Sequence, residues 1–169
     1  MRLLPLIAGL LLAQSALAAP GPRATSAYTN LDVDRCTQLD HGEAPEFTEW
    51  RCAGYRRVPL YVQNSDERYD VDAGVEDEDA IWAHTFDYPG KTVEWRLSRG
   101  KPFAIIYRRL PANPEGSRVS MLVVETIGTR ARPGCRIAMI PGSAKDANAR
   151  GRAAADQILR LRPPCLKPE

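Results

Sequence analysis

The sequence predicts an α+β fold: a mostly antiparallel sheet with a C-terminal helix packed on one face and two disulfides. Three observations predict it. Several short runs alternate apolar and polar residues, one segment near the C terminus has a helical apolar face, and four cysteines follow an apolar leader. The 169 residues are 44% apolar and 26% charged, a globular composition. We expect a single domain over residues 28–169.

Residues 1–18 have the pattern of a cleavable signal peptide. An apolar run over Leu3–Ala13 follows Arg2, and Ala16-Leu17-Ala18 supplies the small residues that precede a cleavage site. The run is too short for a good membrane anchor, which needs about 20 residues. We expect cleavage before Ala19, then a flexible lead-in over residues 19–27, and no transmembrane segment in the mature chain.

Short strands are predicted in the first half of the domain. They cover Glu49–Cys52 and Val58–Gln63, where the period of apolar residues is two. Asn64–Asp66 has turn residues, so Glu67–Val71 is expected to return as the second strand of a hairpin. The acidic start of Glu76–Ala83 favours a short helix.

The second half predicts four more strands. Val93–Leu97 alternates, as in a strand with one face in water, and Cys135–Ile140 forms a short final strand. Phe103–Leu110 and Val119–Ile127 are β-branched apolar runs joined by a hairpin loop at Pro111–Gly116. Because the second run is apolar on both faces, we place it centrally in a sheet covered on both sides.

Ser143–Arg162 is the segment that best fits a helix. Ser143 and Asp146 match the capping pattern S-x-x-[DE], and Pro163 ends the segment. One helical face is predicted to hold the apolar and small residues Ala147, Gly151, Ala154, Ile158 and Leu161.

The four cysteines, Cys36, Cys52, Cys135 and Cys165, predict two disulfides in an exported protein. Three pairings are open on count alone. The strand that Cys135 begins and the helix that follows it have similar lengths, so the chain returns Cys165 close to Cys135. This predicts Cys135–Cys165 and, by elimination, Cys36–Cys52. Disulfides and leader together predict a periplasmic or secreted location.

No catalytic set is evident in the sequence. His41 and His84 have no motif around them, and no cofactor motif is present. The acidic stretch 66–79 invites a calcium interpretation, but with Asp70 as first ligand the twelfth position is Ile81, so that register fails. We predict no metal site; a looser calcium site is the alternative to a solvated turn.

Charge is distributed unevenly over a chain whose net charge is only +2. Residues 19–80 hold six basic and fourteen acidic residues, whereas residues 81–169 hold sixteen basic and seven acidic. Arg130, Arg132 and Arg136 flank a predicted loop and are candidate anion-binding residues, because guanidinium groups suit carboxylate and phosphate. The alternative is that the two halves neutralise each other. Few aromatic residues interleave the basic ones, so no nucleic-acid partner is predicted.

Trp50 lies two residues from Cys52 and Trp95 lies within an alternating run, which favours core packing over ligand contact. The alternative is an aromatic recognition surface formed by Trp50, Trp82 and Trp95.

Several segments together resemble a group of small exported proteobacterial proteins of unknown function. The segments are Tyr28–Leu31, Cys36, Cys52–Tyr55, Val93–Arg96, Pro102–Ile106 and the Ala-rich helix between Cys135 and Cys165. The resemblance implies a periplasmic location and no particular activity.

These observations leave three function hypotheses. The first is an exported non-enzymatic protein that binds a protein or cell-envelope component, because no catalytic set is found. The second is a module that binds a small ligand, an anion or an ion. The third is a hydrolase whose carboxylates come together only in the fold.

Overall fold

The fold is described from a computed structural model for residues 23–39, 47–75, 87–112 and 119–166. These residues form nine strands, a short 3-10 helix and one α-helix. The strands are β1 (Thr25–Asn30), β2 (Thr37–Leu39), β3 (Phe47–Tyr55), β4 (Val58–Ser65), β5 (Arg68–Ala73), β6 (Asp87–Ser98), β7 (Lys101–Pro111), β8 (Met121–Thr126) and β9 (Arg136–Pro141). The 3-10 helix spans Val33–Arg35 and the helix α1 spans Ala147–Gln157.

All nine strands belong to one sheet, in the order β2-β3-β4-β5-β6-β7-β8-β9. Neighbours are antiparallel except β5 and β6, which meet in parallel at the single pair Arg68 and Asp87. Strand β1 lies outside this order and pairs antiparallel with the second half of β6. The predicted mostly antiparallel sheet, C-terminal helix and two disulfides are therefore confirmed, although strands dominate more than the predicted α+β balance suggested.

The chain buries two apolar clusters, one on each face of β7 and β8. Ile105 and Val123 face the larger cluster, to which β3, β4, β5 and β6 also contribute. Ile106 and Leu122 face a smaller cluster beneath α1. Both faces of β8 are covered, as its continuous apolar run predicted, but the predicted central position is wrong, because only β9 separates β8 from the edge of the sheet.

The prediction that one face of Val93–Leu97 is exposed to water is wrong. Val93 and Trp95 face the larger core, but Glu94 and Arg96 on the opposite face are also buried. The cause is α1, which places Arg152 on Glu94 and Asp156 on Arg96. The polar side chains of this strand therefore lie on a face that is covered by charged side chains of α1.

The predicted helix is longer than the observed one. Bonds from Ala144 N–H to Pro141 O and from Ala147 N–H to Ala144 O form tight turns after β9, so α1 begins only at Ala147. The predicted cap is also wrong: Asp146 is the N-cap residue and makes no side-chain capping bond. The helix ends at Gln157, which leaves Leu161 exposed.

Two further results concern the first half of the chain. Strand β1 begins at Thr25, inside the segment predicted as a flexible lead-in, because it pairs along β6. The predicted hairpin of β4 and β5 is confirmed, with its turn at Asp66 and Glu67, both with positive φ. The predicted signal peptide, the helix at Glu76–Ala83, both histidines, Trp82 and most of the Pro111–Gly116 loop lie outside the described residues.

Candidate functional site

Four arginines line an open depression of about 340 Å³ beside the Cys36–Cys52 disulfide. They are Arg35, Arg51, Arg56 and Arg57, and all four are exposed. We call them the arginine cluster. None of the four was predicted as a site residue.

The disulfide brings the first two arginines together. Arg35 ends the 3-10 helix and directly precedes Cys36, while Arg51 on β3 directly precedes Cys52. The two cysteine Cα atoms are 4.5 Å apart. The cross-link therefore holds the preceding arginines on the same side of the protein.

The other two arginines form the two-residue loop between β3 and β4, which Tyr55 and Val58 close as a pair. Arg56 has a φ of 57°, a conformation that costs a residue other than glycine about 1–2 kcal/mol. Its guanidinium carbon lies 5.3 Å from the centre of the Tyr55 ring, a cation–π contact that orients the side chain. The tight loop thus presents two adjacent guanidinium groups at the rim of the depression.

The charge of the arginine cluster is uncompensated in the described part of the chain. No aspartate or glutamate described by the structure lines the depression. No salt bridge between described residues involves any of the four arginines. Residues 19–80 as a whole have an excess of acidic residues. The depression is nevertheless a region of positive electrostatic potential, because the arginine charges in it are not compensated.

This arrangement suits binding of phosphate or carboxylate groups. A guanidinium presents its N–H donors in a planar fork that matches two oxygens of a phosphate, and several forks together can engage several anionic groups. The described lining holds no histidine, carboxylate or free thiol to act as a base or nucleophile.

The structure separates the three arginines predicted as an anion site. Arg130 and Arg132 are exposed in a turn closed by two backbone bonds between Thr129 and Arg132, of 2.7 and 2.9 Å. Arg136 lies on β9 and is buried. An anion-binding role for Arg130 and Arg132 stays a prediction, whereas Arg136 has protein partners instead.

Arg136 belongs to a buried cluster with Asp70, Tyr107 and Glu125. Its Nη2 lies 2.5 Å from Asp70 Oδ1 and 3.0 Å from Glu125 Oε1, and its Nε donates to the same glutamate oxygen. The Tyr107 hydroxyl donates to Asp70 Oδ1 at 3.0 Å. Strands β5, β7, β8 and β9 are joined by these bonds.

Burial and charge shift the titration of this cluster. Burial, reinforced by Asp70, raises the pKa of Glu125 to about 8, although Arg136 opposes the shift. Burial also raises the pKa of Tyr107 well above its ordinary value, with Glu125 and Asp70 adding to the effect. Burial lowers the pKa of Arg136, but Tyr107, Glu125 and Asp70 outweigh burial and raise this pKa above its ordinary value.

The buried cluster is the described group that comes nearest to the carboxylate site of the hydrolase hypothesis. Two carboxylates and a phenol converge in it, but none of Asp70, Tyr107 and Glu125 is more than 3% exposed. A substrate could not reach these atoms without opening the core. We therefore assign the cluster a structural role.

The remaining predicted residues have clear positions. The structure pairs Cys36 with Cys52 and Cys135 with Cys165, as predicted. Trp95 is fully buried in the larger core. In residues 23–39, 47–75, 87–112 and 119–166, no group of three or more His, Cys, Asp or Glu side chains could hold a metal ion.

A sequence signal for the arginine cluster did exist. Arginine precedes both Cys36 and Cys52, and Arg56-Arg57 follows four residues after the second cysteine. Once these cysteines are paired, the arginines must come close together. The net charge of residues 19–80 concealed this group of arginines, because fourteen acidic residues outnumber six basic ones there.

No family model, curated protein or solved structure matches this chain. No α-helix of the described segments is both long and apolar enough to cross a membrane. The two disulfides indicate a non-reducing, extracytoplasmic environment.

Proposed function

We propose that this protein is an exported, non-enzymatic binding protein that attaches to a phosphate-bearing component of the cell envelope through the arginine cluster. The observation that carries the proposal is the convergence of four exposed arginines on one depression whose described lining holds no acidic side chain. The disulfide beside it supports the proposal, because a rigid support limits the entropy lost when the arginines bind.

Envelope phosphates are favoured over other anions for two reasons. The disulfides and the predicted leader support an exported location, where envelope lipids and polymers are available. The four arginines are exposed at the surface, so the cluster suits a ligand that is itself part of an extended surface. A basic side chain near an anionic lipid surface contributes about 1 kcal/mol.

The test is binding of the purified, oxidised protein to phosphatidylcholine vesicles with and without phosphatidylglycerol, at physiological salt. We expect binding only to the anionic vesicles. The double variant Arg51→Gln/Arg57→Gln should bind roughly thirtyfold more weakly, from about 2 kcal/mol of lost attraction. Arg130→Gln/Arg132→Gln removes the same charge from another exposed loop and is the matched control.

Three outcomes would contradict the proposal. Equal binding by the wild type and the cluster variant would remove the arginine cluster from the interaction. A larger loss in the control variant would place the site at Arg130 and Arg132. Tighter binding to a duplex oligonucleotide than to anionic vesicles would identify a nucleic acid as the preferred polyanion.

A further inference from the structure

A cleft of about 520 Å³ lies where α1 passes over β6, β7 and β8, separate from the arginine cluster in its lining. This volume is in the range of small-molecule sites. Its lining includes Lys91, Arg108 and Arg152, which are basic, and one acidic residue, Glu94.

The cleft is formed at an irregularity in β6. Pro89 pairs with Arg109 and Val93 pairs with Tyr107, so three residues of β6, 90–92, lie opposite Arg108 alone. Extra residues in one strand bend it and redirect its side chains. A Cβ added at Gly90 would lie 3.3 Å from the Cβ of Arg108, so glycine allows the bent strand to approach this arginine closely.

Arg152 and Glu94 largely neutralise each other. Arg152 Nε and Nη2 donate to the two Glu94 oxygens at 2.7 and 3.2 Å, and Ser26 Oγ donates to Oε1 at 2.5 Å. Arg96, next to Glu94, pairs with Asp156 through two bonds of 2.8 Å from its Nη2. These two carboxylates and two guanidinium groups carry no net charge.

Lys91 and Arg108 keep their charges. Neither has a carboxylate partner among the described residues, and the bond that the structure gives Arg108 is from Nη1 to Ser120 Oγ at 3.0 Å. The other donors of Arg108 and the Lys91 ammonium therefore stay available to an anion. The cleft has an excess of two positive charges.

The same cleft has an apolar part. Ile106 and Leu122 are buried side chains of the smaller core that reach its lining, and Leu110 is 40% exposed there. Ile106 and Leu122 are only 4% and 3% exposed, so Leu110 offers most of the apolar area, and covering it would contribute about 25 cal/mol for each Å² removed from water. A ligand that matches both parts carries an anionic group and a hydrocarbon portion.

We propose that this cleft is a second binding site, which takes a small amphiphilic anion: a carboxylate or phosphate held by Lys91 and Arg108, with its hydrocarbon portion against Ile106, Leu110 and Leu122. The inference is independent of the arginine cluster, because the two linings share no residue.

The test uses calorimetric titration and thermal denaturation of the oxidised protein with four probes: octanoate, octyl phosphate, acetate and octylammonium. We expect octanoate or octyl phosphate to bind and to raise the melting temperature. Acetate lacks the hydrocarbon portion and octylammonium has the opposite charge, so both should bind at least tenfold more weakly.

Two variants locate the site. Lys91→Gln and Arg108→Gln should each weaken binding of the anionic probe about tenfold, and circular dichroism confirms that each is folded. Lys101→Gln is the matched control, because Lys101 is exposed and outside the cleft. Arg51→Gln/Arg57→Gln should keep the preference for octanoate over acetate that the two cleft variants lose, which separates this site from the arginine cluster.

The proposal is overturned if neither octanoate nor octyl phosphate binds, if octylammonium binds as tightly as octanoate, or if both cleft variants keep the affinity of the wild type.

Discussion

The Arg136 guanidinium and the Asp70 carboxylate lie 2.5 Å apart in the interior, and they join strands β9 and β5 across 66 residues of sequence. Both residues are 3% exposed. Because burying a charge is costly unless it is paired, each of these groups depends on the other and on Glu125. The strands of the two halves of the chain are therefore linked by electrostatics as well as by apolar packing.

Substituting Arg136 should destabilise the protein strongly. Arg136→Met removes the guanidinium and leaves Asp70 and Glu125 together in the core, so we expect a loss of about 3–5 kcal/mol in the free energy of unfolding. Urea denaturation monitored by circular dichroism measures it. Arg132→Met, on the exposed turn, is the control and should change stability by less than about 0.5 kcal/mol. Equal losses would show that the buried pairing contributes nothing specific.

Stability should fall as pH rises through the range in which Glu125 titrates. Its pKa is about 8 in the folded protein, against an ordinary value of 4.5. Between these values the unfolded chain releases a proton that the folded protein keeps, so the contribution of this group is complete below pH 4.5 and is lost towards pH 8. The groups that face the Glu125 carboxyl are Asp70, Tyr107 and Arg136, and the raised pKa already includes their effects.

The measurement is the melting temperature between pH 5 and pH 8 for the wild type and Glu125→Gln. The amide resembles the protonated acid and does not titrate, so the variant should lose less stability over this range. Parallel pH profiles would show that Glu125 titrates near its ordinary value.

The alternating apolar patterns predicted most strands, because packing against the larger core requires apolar side chains on one face of each strand. The runs at Val58–Gln63 and Phe103–Leu110 lie within β4 and β7. Strand β1 was missed, since Thr25–Asn30 has no strong alternation and forms by pairing with β6, about 65 residues later in the chain. Local patterns predict strands whose apolar side chains alternate, whereas a strand without that alternation, such as β1, is found only from its tertiary contacts.

The sites illustrate the same limit. Arg136 was predicted to bind an anion, because its partner Asp70 lies 66 residues away in the sequence. The importance of Lys91 and Arg108 follows only from the change of register in β6. No local sequence pattern predicts that change. The pairing of the cysteines, by contrast, was predicted correctly, although the helix used in that argument is shorter than predicted.

Removing the C-terminal disulfide should destabilise the fold by restoring freedom to the unfolded chain. Cys135 and Cys165 are separated by 30 residues, for which the chain-entropy model gives about 3–4 kcal/mol. We expect this loss in Cys135→Ser/Cys165→Ser, measured by urea denaturation against the oxidised wild type. The cross-link holds the segment after α1 to β9, where Leu166 N–H also bonds to Arg136 O at 2.8 Å. A stability unchanged in the variant would contradict a structural role, and a peptide map that joins Cys36 to Cys165 would contradict the pairing.

The contact between Gly54 and Trp95 gives the last prediction. A Cβ added at Gly54 would overlap the carbonyl oxygen of Val58 and lie 3.0 Å from two ring carbons of Trp95. The indole cannot move freely, because it is fully buried and its Nε1 donates to Thr29 Oγ1 at 2.8 Å.

Gly54→Ala should therefore displace the β3–β4 loop and destabilise the protein by about 1–3 kcal/mol, as expected of overpacking. Gly100→Ala is the control: Gly100 has a φ of 75° but nothing within 4 Å of an added Cβ, so its cost is conformational strain alone. Since the loop carries Arg56 and Arg57, Gly54→Ala should also weaken binding to anionic vesicles, whereas Gly100→Ala should not. Vesicle binding that is equal in the two variants, each confirmed as folded at the assay temperature, would show that the loop geometry set by Gly54 does not position the arginine cluster.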